Sequence, residues 1–456
     1  MEVSLLPAVL LGAIIFALRF GQWNLYLGRR LKAKFFSNAD TWIFLIDAKK
    51  IRDNNFRLSS RFREGNLEGQ QHYPPLFFYM LALIPQKLVK PAVRYGPALE
   101  DSFIALVLYV SMMFATDNLV AATLAAVVYL TSPMIFQQTF CLCARPTSIL
   151  IISLVFVFSL SFSWLNFVVL SILAALTLLQ HKFATQVLVF TSLAFLFIGR
   201  FDYALAVGVG FIIALAVSRG YYLKVLTAHV NNLRASYLKQ FVFSKAENRF
   251  RKTAALFVYC PWIIFFAASL VGLWKNLWGN FLCPFVWIIT LLVFAVLTNF
   301  WKFRIIGEGW RYLGYMAFPL AFWVGYSMQI KPNLLWLYIV FAVAGAAIGY
   351  YYTLRLFRRQ EKYLISEADT EIFEQISSVP GSTLAAVPRE FTYSISYFSG
   401  KEYAIRVDLD LKNQATQLAE IIVINKDFVE PSFYEGLKNR GFASKLEKGK
   451  WIVFAA

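Results

Sequence analysis

Asp40 lies in the run Ser37-Asn38-Ala39-Asp40-Thr41-Trp42, just beyond the first apolar segment of a chain made mostly of membrane-length apolar runs. A carboxylate at a bilayer surface is costly to hold, so it is expected where protons or ions are handled. General-base work is one chemistry it can supply. The other reading is structural: Asp is a preferred N-cap, and a helix starting at Thr41 would put Asp40 in that position. Asp47 and Asp53, further along the same helix, read as solvated face residues. About thirty residues on comes His72-Tyr73-Pro74-Pro75-Leu76. The proline pair holds the chain extended and leads into a helix, because proline is tolerated in a first helical turn. His72 and Tyr73 can hydrogen-bond a sugar or a phosphate, although a Tyr at a membrane boundary also serves as an anchor.

The cations are spread along the chain. Arg145 stands in Cys143-Ala144-Arg145-Pro146-Thr147, His181 and Lys182 fill a turn between two apolar runs, and Arg304-Ile305-Ile306-Gly307-Glu308-Gly309-Trp310-Arg311-Tyr312 precedes a late one. Arg suits phosphate because its planar donors grip two oxygens at once. A Lys about 4 Å from a phosphate oxygen gains on the order of 4 kcal/mol at an effective dielectric of 20, before desolvation. Lys182 also fits a snorkelling helix end. Glu308 is placed to orient Arg311. Glu100 and Asp101, at the mouth of a span, fit an acceptor or cation site, or simply the end of a loop.

What must position these residues is a membrane bundle. The chain is 59% hydrophobic and 18% aromatic, with a mean hydropathy of +0.57, well above the roughly 45–50% apolar content of soluble domains. A net charge of +18 has to sit in loops and tail, where lipid phosphate is the economical partner and nucleic acid is not required. Apolar runs lie near 3–19, 98–116, 118–133, 147–163, 164–180, 183–199, 201–217, 253–273, 278–299, 312–330 and 333–353, about eleven spans. The first reads as a retained span rather than a cleaved signal. The stretch from Pro75 to Val89 is too short to cross, so it reads as an interfacial helix inside a first external loop, 20–97. Cysteines 141, 143, 260 and 283 lack metal or disulfide spacing and read as packing residues.

Beyond the membrane part, 1–354, apolar runs shrink to strand length at Ser382–Val387, Tyr403–Val407, Leu418–Ile424 and Trp451–Phe454. Helical pieces at Ala368–Ile376 and Pro431–Leu437 separate them. Residues 361–456 therefore read as a soluble α/β domain without a Gly-rich phosphate loop or a metal-ligand cluster. The fold class is mainly α: a polytopic helical bundle with a small C-terminal α/β domain.

One early span, an Asp, a polar loop, Tyr-Pro-Pro-Leu entering a helix and a late Gly-Glu-x-x-Arg-Tyr run resemble, in that order, the GT-C superfamily of membrane glycosyltransferases. That superfamily includes aminoarabinose transferases, protein O-mannosyltransferases and the catalytic subunits of oligosaccharyltransferases. The resemblance covers about 1–330 and identifies no sugar. It implies inverting transfer of a sugar from a polyprenyl-phosphate donor to a glycan, lipid or protein acceptor. It gives Asp40 the role of base and Lys182, Arg304, Arg311 and Tyr312 that of phosphate ligands. His72, Tyr73, Glu100, Asp101, Arg145, His181 and Glu308 would line the pocket. Relatives carry an acidic residue near the position of Thr147, so the departure points to catalysis without a metal or other cofactor. The resemblance also places the polar loops and the tail outside the cytoplasm, whereas the positive-inside rule, counted on the same basic loops, favours the opposite orientation. The competing class is a transporter or flippase of lipid-linked saccharide, which needs the cations and no base; no internal repeat of the transporter kind is visible.

Overall fold

The structure is a computed structural model, and it describes residues 10, 13–14, 17, 21, 33–36, 39–58, 72–138, 142–231, 256–258, 260–273, 281–300, 303, 306–360, 363–403 and 419–456. Most of the first apolar run, Cys141, Arg304 and most of the basic stretch beyond 231 lie outside the described residues. Strand β1 (Ala33–Phe36), α1 (Ala39–Asp53) and α2 (Leu76–Leu83) precede the bundle. The bundle consists of α3 (Gln86–Thr116), α4 (Leu119–Thr131), the short α5 (Pro133–Gln138), α6 (Ala144–Ser159), α7 (Trp164–Gln180), α8 (Lys182–Phe197) and α9 (Phe201–Val217). It continues with α10 (Tyr221–Asn231), α11 (Trp262–Leu273), α12 (Leu282–Leu297), α13 (Gly309–Ile330) and α14 (Leu335–Gln360).

Every apolar run after the first is thus a helix, but most are short. At 16 residues, α6 and α8 span about 24 Å against a hydrocarbon core of about 30 Å. Among the described residues, α3 is the one helix long and apolar enough to cross a membrane by length and composition. Helix α13 is the axis: it is buried along nearly its whole length and touches α3, α4, α5, α6, α11 and α12. Gly325 makes this possible, since a Cβ there would press on the Ala121 carbonyl at 2.8 Å. Small residues let helix backbones approach in this way.

Three expectations are corrected. The Pro75–Val89 stretch is not one interfacial helix. It breaks at Ile84-Pro85, because proline donates no N–H and holds the preceding residue extended, and its second half opens α3. Helix α3 then runs through Pro91 and Pro97, so Glu100 and Asp101 lie inside a helix rather than at its mouth. Asp47 is not solvated: it is fully buried on α1. In addition, α9 turns by 112° into α10 where a loop was expected, through the left-handed residues Arg219 and Gly220.

The tail forms β2 (Leu364–Ser366), α15 (Glu367–Gln375), β3 (Thr383–Val387), α16 (Thr392–Ser399), β4 (Glu402–Tyr403), β5 (Ile421–Asn425), α17 (Pro431–Lys438), β6 (Ala443–Lys448) and β7 (Trp451–Ala455). The sheet order is β4-β3-β5-β7-β6, parallel from β4 to β5 and antiparallel from β5 to β6. Strands β3, β5 and β7 are buried, as strands covered on both faces must be. Trp451 anchors them by donating its indole N–H to Asp369 at 2.6 Å, and the other carboxylate oxygen of Asp369 caps α15 through Ser366.

The tail is fastened to the first loop. Strand β1 pairs antiparallel with β2, and one apolar cluster contains Trp42 and Phe44 of α1, Phe77 and Phe78 of α2, and Phe373, Ile395 and Trp451 of the tail. Trp42 is 1% exposed and meets Tyr397 and Phe398 of α16 at 5.3 and 5.1 Å. Truncating such a side chain removes about 3–5 kcal/mol. Trp42→Ala is therefore expected to release the tail to limited proteolysis before the bundle is cut; equal protection of both parts would show that the junction does not depend on this residue.

Candidate active site

The site is built around the turn between α7 and α8. His181 ends one helix and starts the next: its backbone N–H donates to the Thr177 carbonyl, and its own carbonyl accepts from the N–H of Thr185. Its Nδ1 accepts the N–H of Phe183 at 3.2 Å and faces the Tyr315 hydroxyl at 3.3 Å. That hydroxyl in turn is 2.7 Å from Ser148 Oγ. A ring whose Nδ1 accepts carries its proton on Nε2. Burial, then the charges of Arg145, Arg311 and Lys182, with His229 behind them, hold the His181 pKa well below its ordinary value. The ring is neutral because burial, and after it three surrounding cations, disfavour its charged form.

These cations come from three separated helices. Lys182, the first residue of α8, places its ammonium 5.5 Å over the ring of Tyr73, and Tyr73 sits edge-on to His181 at 6.0 Å. Arg145, in the first turn of α6, lies on the indole of Trp310 at 4.8 Å, and its Nε is buried without a hydrogen-bond partner among the described residues. Arg311 donates from Nε to Glu308 at 3.1 Å, and Glu308 also accepts from Trp310 at 2.8 Å. Glu308 therefore orients Arg311, as the spacing of the two residues implied.

Gly307 sets the approach of this loop. Its φ is +126° and an added Cβ would run into the Phe183 ring. Gly307→Ala is expected to lower the thermal midpoint and weaken anion binding together, since the backbone is strained and the loop is pushed off α8. Gly220→Ala is the control, with positive φ but nothing within 4 Å; equal losses in both variants would show that strain alone matters.

Tyr312 is placed differently from expectation. It is fully buried, and its hydroxyl is shared between Gln186 Oε1 at 3.2 Å and the Ile306 carbonyl at 3.1 Å. That makes it a holder of the loop rather than a phosphate ligand. Gln186 continues to His229 at 3.1 Å. His72 packs against Tyr221 at 5.6 Å. Thr147 donates to Glu100 Oε1 at 2.5 Å, and the other oxygen of Glu100 is buried without a hydrogen-bond partner among the described residues. Asp101 lines a small cavity together with Pro146 and Ile149. Among the described residues no three His, Cys, Asp or Glu side chains gather as a metal site would require.

Asp40 is exposed, in the first turn of a helix that starts at Ala39 rather than Thr41. It is therefore past the cap position, on a face shared with Phe44 one turn later. Phe44 meets Tyr73 at 5.9 Å, and Tyr73 meets His181 and Lys182. Tyr73 thus connects α1, through Phe44, to His181 and Lys182.

Several participants were not anticipated: Ser148, Gln186, His229, Trp310 and Tyr315. One signal was available. The chain has three histidines, and all of them come to this region.

No protein-family profile matches the sequence, and no curated protein matches it. The fold does match. The crystal structure of ArnT from Cupriavidus metallidurans bound to undecaprenyl phosphate aligns over 99% of this chain and 98% of its own, with a TM-score of 0.59 at 11% identity. The apo form aligns over 97% of each chain, with a TM-score of 0.53 at 13% identity. The fold described above is therefore like that of ArnT.

Proposed function

We propose that this chain is an inverting membrane glycosyltransferase that takes sugar from a polyprenyl-phosphate donor at the extracytoplasmic face. The observation that carries the reading is the convergence of Arg145, Lys182 and Arg311 around a neutral, buried His181. Three cations brought together from three helices suit a phosphate. ArnT, whose fold this chain shares, binds undecaprenyl phosphate.

In this reading the guanidinium groups of Arg145 and Arg311 and the Lys182 ammonium hold the donor phosphate, and His181 donates from Nε2. Asp40 takes or orients the proton of the acceptor hydroxyl or amide. The acceptor attacks the anomeric carbon from the side opposite the phosphate, the carbon–oxygen bond to phosphate breaks, and the configuration inverts. Charge grows on the departing phosphate as that bond stretches. Preorganised cations in a partly dry site stabilise such charge without having to reorganise. A neutral His181 fits this role: it adds a donor without adding repulsion among the cations.

The direct test is to incubate purified protein with a panel of polyprenyl-phosphate sugars and an acceptor mixture, following free polyprenyl phosphate. Release that depends on acceptor, with inverted product, supports the reading. Binding of every donor without any release would sink it.

A further inference from the structure

On the far side of α1 from this site, a groove of about 360 Å³ opens between α1, the start of α3 and the tail helices α15 and α16. It is lined by Lys49, Lys87, Lys90, Glu374, Tyr397 and Phe398, with Gln86 at its edge. Lys49 lies nine residues after Asp40, about two and a half helical turns, which turns it to the opposite face of α1. That face, shared with Trp42, is the one that α16 covers.

The charges in the groove do not cancel. Glu374 is 3.8 Å from Lys90, and the Lys90 ammonium lies 5.6 Å over the Phe398 ring. Lys49 and Lys87 form no ion pair among the described residues, so two ammonium groups are left facing a cavity whose size falls in the range of ligand clefts. Tyr397 is held in the wall by the Gln86 amide, which donates to its hydroxyl at 3.5 Å. The groove thus offers two cations beside two aromatic side chains. An anionic group on a flat, partly apolar body satisfies both features.

Its height argues against lipid. The charge-free part of α3 begins after Asp101, eleven residues or about 16 Å past Lys90, while the headgroup layer on one side is only about 5–8 Å thick. With α3 along the membrane normal, Lys87 and Lys90 would stand above the lipid phosphates.

We propose that this groove binds an anionic saccharide, a sugar unit bearing a carboxylate or a phosphate, at a site separate from the one where transfer would occur. The inference concerns binding and holds independently of the transferase reading. The test uses the full chain in phosphatidylcholine nanodiscs, titrated with trigalacturonate, glucose 6-phosphate and neutral maltotriose. At least one acidic probe is expected to bind where maltotriose does not, and binding weakens at high salt. The Lys49→Gln/Lys87→Gln variant is expected to bind about tenfold more weakly, in line with the loss of charge-assisted hydrogen bonds, while release of polyprenyl phosphate is unchanged. The proposal is overturned if neither acidic probe binds, if maltotriose binds as well, or if the variant binds like the parent. It is also overturned if the variant differs only in nanodiscs doped with phosphatidylglycerol, which would make the lysines lipid contacts. Polyprenyl phosphate release is read separately, so failure here leaves the transferase reading standing, and the reverse holds too.

Discussion

Asp40→Asn is expected to reduce sugar transfer by about 10² to 10⁴, the usual worth of a positioned general base, and to leave affinity for polyprenyl phosphate unchanged. The substitution keeps the shape of the side chain and removes its capacity to take a proton. Asp40 is exposed in the first turn of α1, where a carboxylate contributes roughly 0.3–1 kcal/mol through the helix dipole. A large loss of turnover with an intact fold therefore isolates chemistry from stability. The measurement is release of free polyprenyl phosphate from a sugar-loaded donor, alongside binding of the unloaded lipid phosphate and a thermal unfolding curve.

A transporter or flippase would need the same cations and no base, so it would tolerate this variant. Full activity in moving lipid-linked saccharide, with no transfer in parent or variant, would favour that class. Asp47→Asn is the useful contrast. Asp47 is buried on the same face of α1, and altering a buried charged group acts first on stability. Its loss of activity should follow its loss of folded protein, whereas that of Asp40→Asn should not.

The parts of this site that were legible in the sequence are those whose residue type is unusual for its surroundings. An Asp beside a first span, a His-Lys turn between apolar runs and a Gly-Glu-x-x-Arg run stand out locally, and the three-residue spacing of Glu308 and Arg311 predicts the ion pair that forms. The hidden parts are partners joined across long stretches of chain. Tyr315 reaches His181 over 134 residues and Tyr312 reaches Gln186 over 126, and no local window marks which buried hydroxyl will find which acceptor. The fold divides in the same way. Apolar runs announced the helices, but the run read from 98 is the later part of a helix that begins at Gln86 and passes through Pro91 and Pro97. Strand β6 was missed because it is a mostly exposed edge strand with little apolar alternation. The pairing of β1 with β2 joins the first loop to the start of the tail, a contact that no local pattern encodes.

Arg311→Gln is expected to raise the KM for donor by about ten- to a hundredfold, the range of a lost hydrogen bond to a charged group of roughly 1.5–3 kcal/mol. Arg311 commits only Nε to Glu308, which leaves its terminal amino groups for a ligand. Arg311→Lys keeps the charge but loses the fork and the anchoring bond, so it should fall between parent and Gln variant. Neither change strands a buried ion, because Glu308 remains about half exposed and keeps its bond from Trp310. Stability should therefore move little. Asp40→Asn acts on kcat and Arg311→Gln on KM, through the acceptor and the donor respectively, so their effects on kcat/KM should multiply in the double variant. A double variant no worse than Asp40→Asn alone would mean that Arg311 does not contact the donor in the productive complex. In that case the phosphate would be held by Arg145 and Lys182 without it.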